Sequence, residues 1–304
     1  MDVHFLREEA AAALGLMDRQ SVAERRTREL ATYQAADAVI VISDDDKSAL
    51  QRAGVTTEIY VVPIIVPSRP RPVRSRQKEL LFVGGFNHAP NADGLLWFMR
   101  ECWERVRAAV PDVILTVVAS NPTPEVLALA NVAGVEVIGP VPQPDEYLDK
   151  AAVSIAPLRY GGGMKGKVCE ALASGVPLVT TSVGVQGLNI KDGGGARVQD
   201  TAMGFADAVI WALIQSEEAE AMGSRGRQLI EPVCSCDAAS QTMLKLVDSH
   251  AQGPTPWQNV LWLFRSAAFF ALENARMLAI ASGLRRLKYA GTSLLSPLFK
   301  RVAS

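Results

Sequence analysis

Arg159, Lys165, Lys167 and Glu170 fall within a dozen positions of one another, interleaved with Gly161, Gly162, Gly163 and Gly166. Three cations and one carboxylate around a run of glycines are suited to holding an anion. The apolar run 153–158 before them reads as a buried strand. Residues 167–174 have helical spacing, with Val168, Ala171 and Leu172 on one side. Gly175 ends that helix at its C′ position, and Pro177 opens the next strand, 176–180. The stretch is therefore a βαβ unit. A helix that starts from a glycine loop presents unpaired N–H groups and the positive end of its dipole. Cations are disfavoured at that end, so Lys165 and Lys167 there call for a counter-charge, and a diphosphate supplies one. The plainer reading is two solvated lysines near a helix start and a surface glutamate.

Two known phosphate loops can be tested against this spacing. Gly161, Gly163 and Gly166 spell G-x-G-x-x-G. A dinucleotide site would then need an acid at the end of the next strand to hold the ribose hydroxyls. That strand ends in Thr180, Thr181 and Ser182, which argues against it. Residues 161–167 also spell G-x-x-x-x-G-K, but Val168 follows, so no hydroxyl is offered to magnesium.

A third pattern fits. The run 170–177, Glu-Ala-Leu-Ala-Ser-Gly-Val-Pro, resembles the nucleotide-sugar site of family 4 glycosyltransferases, which have the GT-B fold. The likeness continues in LLFVGGFNHAPNADGLLWF, 80–98, and in TTSVGVQGL, 180–188. It implies transfer of a sugar from a nucleotide-diphosphate donor to a glycan or lipid-linked acceptor, in polysaccharide or glycolipid assembly. It also implies retention of anomeric configuration, no obligatory metal and no cofactor beyond the donor. In that frame Glu170 hydrogen-bonds the donor ribose, while Gly163, Lys165, Lys167 and Arg159 surround the diphosphate. Gly84 and Gly85, which otherwise read as a tight turn, let the backbone approach the donor. His4 would face the donor sugar, so His4 and Lys165 are the catalytic candidates. The sequence departs from the family at Gly162, where many members carry a second glutamate, and this leaves the sugar unspecified. Asn91 reads as the N-cap of a helix reaching Arg107.

The elements that must position these groups follow from length and pattern. A chain of 304 residues, 49% hydrophobic and 21% charged, is long enough for two domains. A net charge of −1 gives no footprint for nucleic acid. Cys102, Cys169, Cys234 and Cys236 read as reduced core cysteines, and the three histidines have no metal spacing. Strands are expected near 80–84, 113–119, 135–138, 153–157, 176–181 and 195–198. Helices are expected near 91–108, 124–131, 144–149, 164–174, 201–215, 217–229 and 236–249. This alternation predicts an α/β fold, a parallel sheet with helices on both faces and a ligand at the carboxyl ends of the strands.

Residues 1–66 form a partial second Rossmann-like unit, in the likeness a remnant of an acceptor-side domain whose earlier strands are absent. It opens on a strand end at His4, followed by a charged helix over 21–36, a strand over 38–42 and a helix capped by Ser43. The Pro- and Arg-rich stretch 67–77 is a linker. Residues 78–250 bind the donor. Residues 251–304 form an amphipathic helical tail whose Trp257, Trp262 and Phe264 lie among apolar residues and whose charges after Glu273 are all basic. That tail either packs back on the domains or lies on an anionic membrane face as a peripheral contact. The location expected is cytoplasmic, at the inner face of the cytoplasmic membrane in the second case. A donor-binding module without turnover is the alternative to an active transferase.

Overall fold

The computed structural model describes residues 3–67, 78–142 and 144–250. The expected linker, beyond Pro67, and the expected tail lie outside the described residues. A small N-terminal β–α–β piece and a larger six-stranded α/β layer belong to one compact unit.

The N-terminal piece contains α1 (His4–Ala13), α2 (Arg19–Gln34), β1 (Ala38–Val41), α3 (Asp44–Arg52) and β2 (Glu58–Val61). β1 and β2 pair in parallel around a core that includes Val3, Phe5, Tyr33, Val39, Val41 and Leu50. The strand end expected at His4 is instead the first turn of α1. The cause lies 25 residues away. Glu29 of α2 accepts from both His4 N and Phe5 N at 2.8 Å, satisfying two of the unpaired donors at the helix start. Ser43 caps α3 as expected, accepting from Asp46 N at 3.1 Å, while its Oγ donates to Asp46 Oδ2 at 2.7 Å.

The larger layer contains β3 (Glu79–Gly85), α4 (Ala89–Glu101), α5 (Trp103–Ala109), β4 (Ile114–Ser120), α6 (Pro124–Ala128), β5 (Val135–Ile138), α7 (Asp145–Lys150) and β6 (Val153–Ala156). It continues through α8 (Gly166–Ala173), β7 (Leu178–Thr180), β8 (Arg197–Val198), α9 (Ala202–Ile214), α10 (Ser216–Ile230) and α11 (Cys236–His250). The expected α/β alternation is present, with the single helix expected over 91–108 divided at Cys102 into α4 and α5. The sheet is parallel throughout, in the order β5-β4-β3-β6-β7-β8. Two apolar cores cover its two faces, one with Phe82, Phe98 and Phe205, the other with Leu81, Val168 and Leu172. Three of the cysteines are buried, but Cys236 is exposed at the start of α11, against the expectation of a core position. Among the described residues no helix is long and apolar enough to cross a membrane.

The order places β3 beside β6, so their carboxyl-end loops, 86–88 and 157–165, are neighbours. Gly94 makes this approach close, since a Cβ there would sit 2.4 Å from the Pro157 carbonyl oxygen. Backbone cannot yield as a flexible side chain does. Gly94→Ala is therefore expected to destabilise the fold by about 1–3 kcal/mol. Thermal unfolding should show a drop of several degrees; an unchanged midpoint would mean that α4 tolerates displacement from the 157–158 backbone.

Candidate functional site

The site is built on the carboxyl edge of β3 and β6 and on the start of α8. Helix α8 buries Val168, Cys169, Ala171, Leu172 and Ala173, leaving Gly166, Lys167 and Glu170 half-buried along one edge. Lys167 and Glu170 are three apart, hence neighbours on the helix surface. One glutamate in a helix of small and apolar residues thus places its carboxylate on the only open strip the helix has.

Lys167 is tied to the other loop. Its Nζ donates to Asn91 Oδ1 and lies 4.8 Å from the centre of the Phe82 ring. Asn91 Nδ2 in turn donates to the Gly85 carbonyl at 2.7 Å. Asn91 is therefore not the N-cap of α4, a place taken by His88, but a residue of the first turn that links the end of β3 to the start of α8. Gly84 has a role within the protein: a Cβ there would come within 2.8 Å of the Phe82 ring, which supports Lys167. Burial drives the Lys167 ammonium down to about 7, and Lys165 pushes the same way, against the favourable charge of Glu170. An anion placed beside it would favour the charged form and raise that value again.

Lys165 occupies the cap position of α8 and is buried. An ammonium has no acceptor to offer the first turn. Its Nζ instead donates to the Gly163 carbonyl and to Gln186 Oε1, the latter at 3.1 Å. Gly163 has φ of 59°, a left-handed turn that glycine adopts without strain. Lys165 so braces the glycine loop against the 182–187 turn. Arg159 is engaged differently. It forms a bidentate ion pair with Asp93 of α4, Nε donating to Oδ2 at 2.8 Å, which holds its guanidinium firmly in the charged form. Its charge is answered within the protein.

The structure therefore joins Gly85, Lys167 and Glu170 at one place and Gly163 with Lys165 beside it. His4 belongs to the first turn of α1, where its backbone N–H is the engaged group and its side chain is exposed. Asn91, Asp93 and Gln186 were not singled out as site residues from the sequence. Each acts on a partner 21 to 76 positions away, and no local pattern carries such pairings. Among the described residues no group of His, Cys, Asp or Glu side chains is arranged to hold a metal ion.

Residues 77–215 match the family model of group 1 glycosyl transferases. No match was found among curated proteins. Solved structures of similar fold include a TarM variant from S. aureus in complex with fondaparinux, alpha-GlcNAc-glycerol and UDP, at 15% identity and TM-score 0.65 over 73% of this chain and 46% of that one. Sucrose-phosphate synthase from Thermosynechococcus elongatus aligns at 20% identity and TM-score 0.59, over 74% of this chain and 61% of its own. Anabaena HepE, in complex with UDP and glucose, aligns at 11% and 0.61, over 76% and 68%. The fold is thus the α/β fold of GT-B glycosyltransferases. The chain spans about half the length of TarM.

Proposed function

We propose that this chain is a glycosyltransferase that holds the diphosphate of a nucleotide sugar between the 84–91 loop and the start of α8. The observation that carries this reading is the Lys167–Asn91–Gly85 chain of hydrogen bonds, with Glu170 on the same open edge of the helix. It supplies a cation, a helix N-terminus and a carboxylate on one edge of α8, a set suited to a diphosphate and a ribose. Glu170 accepts from the ribose hydroxyls. Lys167, and Lys165 behind it, stabilise the charge that develops on the departing diphosphate, an electrostatic role that needs no protein nucleophile. The UDP in the TarM and HepE complexes and the family match over 77–215 support a nucleotide-sugar donor.

The finer assignments belong to the same reading. Motifs 80–98, 170–177 and 180–188 favour a retaining enzyme of family 4 acting on a glycan or lipid-linked acceptor. The basic, aromatic composition of 257–304 favours a peripheral contact with an anionic cytoplasmic membrane face. Calorimetry with UDP and GDP, followed by transfer assays with the matching sugar nucleotides, tests the reading. Binding of at least one nucleotide is expected; no binding of either overturns it. Binding without transfer to any glycan or lipid-linked acceptor would favour a donor-binding module instead. The two-stranded sheet of the N-terminal piece, a small platform for an acceptor, is the observation on that side.

A further inference from the structure

The turn 184–187 connects two parts of the molecule that the donor reading leaves separate. On one side Gln186 Oε1 accepts from Lys165 Nζ at 3.1 Å. On the other, Gly187 N donates to Asp45 Oδ2 at 2.9 Å, across 142 positions, in the first turn of α3. The contact is close as well as polar. Gly187 has φ of 78°, and a Cβ on it would lie 2.7 Å from Ser43 Cβ and 2.9 Å from Met164 Cγ. Ser43 is the cap of α3 and Met164 the residue before Lys165. The cap of α3, the glycine at 187 and the loop that carries Lys165 are therefore stacked in direct contact. Ser43 and Asp46 are buried and bonded to each other, so the helix start that presents Asp45 is itself fixed.

We propose that Asp45 and Gln186 are positioning residues for Lys165: the N-terminal β–α–β piece clasps the 184–187 turn through Asp45, and the turn holds the Lys165 ammonium at the glycine loop. This rests on the diphosphate reading of the site. A backbone N–H bound to a carboxylate is a charge-assisted bond, stronger than a neutral one, and it restrains the residue preceding it. Holding Gln186 in place restrains the long Lys165 side chain, whose rotamer freedom would otherwise be lost on binding. The N-terminal piece then sets, through Asp45, how tightly the donor is held.

The test is UDP and GDP affinity, with amide hydrogen exchange at Gly187, in Asp45→Ala, Asp45→Asn, Asp44→Ala and Gln186→Ala. Asp45 is exposed, so its replacement leaves the core intact. Asp45→Ala and Gln186→Ala are each expected to weaken binding by about five- to tenfold, the effect of one hydrogen bond. Asp45→Asn keeps an acceptor for Gly187 and should largely restore affinity. Asp44→Ala removes the same charge from the same helix turn and should bind as wild type. Coupling is read from the pair: Asp45→Ala added to Lys165→Ala should weaken binding no further than Lys165→Ala alone. In the unliganded protein, Gly187 should lose exchange protection in Asp45→Ala but keep it in Asp45→Asn. Wild-type affinity in Asp45→Ala, or full additivity with Lys165→Ala, overturns the inference alone. Absence of UDP and GDP binding by the wild type overturns the donor reading and this inference with it.

Discussion

Replacing Glu170 by alanine is expected to weaken binding of UDP or GDP by roughly ten- to a hundredfold, the loss of a charged hydrogen bond of about 1.5–3 kcal/mol. The carboxylate stands on the open edge of α8, flanked by five buried positions that fix the helix beneath it. Its removal should leave the protein folded, since the five buried positions of α8 are untouched. It should also deepen the depression of the Lys167 ammonium, since Glu170 is the group that favours its charge. Glu170→Gln keeps an acceptor without the charge and should fall between wild type and alanine. Calorimetry on the three proteins checks this order. Equal affinities, at measurable strength, would place the ribose elsewhere.

Affinity for a nucleotide sugar is expected to fall by up to about tenfold per pH unit between pH 7 and pH 9. The sign follows from Lys167, whose ammonium titrates near 7 in the unliganded protein. A diphosphate beside it favours the charged form and raises the value in the complex. Between the two values binding takes up a proton, so raising the pH opposes binding; below 7 this residue adds no dependence. A nucleotide sugar is the better probe, because its bridging diphosphate has no second ionisation, whereas a terminal phosphate titrates near ~6. Lys167→Met should flatten the profile, and proton uptake should appear as a buffer-dependent enthalpy. A flat wild-type profile from pH 7 to 9 would remove Lys167 from the phosphates. Stability runs the other way. An unfolded lysine holds its proton to about 10.4, so the unfolded chain binds more protons above pH 7 and folding is favoured as pH rises toward that value. Lys167→Met should therefore gain most stability over wild type at pH 6–7, and the gain should shrink toward pH 10.

Much of the fold was legible because its signals are local. The apolar pattern of 135–138 matches β5 to the residue, and the β–α alternation implies the parallel sheet that is present. Glu170 stood out because polar residues are rare on a buried helix. The errors occur where a distant residue decides. His4 looks like a strand end because its helix partner, Glu29, is not in its neighbourhood. Asn91 looks like a cap because Asx residues near helix starts usually are, yet its side chain is turned to Gly85 and Lys167. The ion pair of Arg159 is equally out of local view, because Asp93 lies 66 positions earlier. Charge and spacing suggest which residues could meet, and tertiary packing decides which do.

The carboxylate of Glu29 at the start of α1 has a consequence for the order of events during synthesis. A helix normally carries its own start signal, so it can begin to form as it leaves the ribosome. Here the acceptor for the first two N–H groups is 24 and 25 residues downstream. At about 5–20 residues per second, His4 and Phe5 must wait on the order of one to five seconds before Glu29 is even made. Helix α1 therefore cannot complete its start until α2 has been made. Until α2 emerges, Phe5, whose folded place is in the N-terminal core, is left exposed to whatever meets the nascent chain.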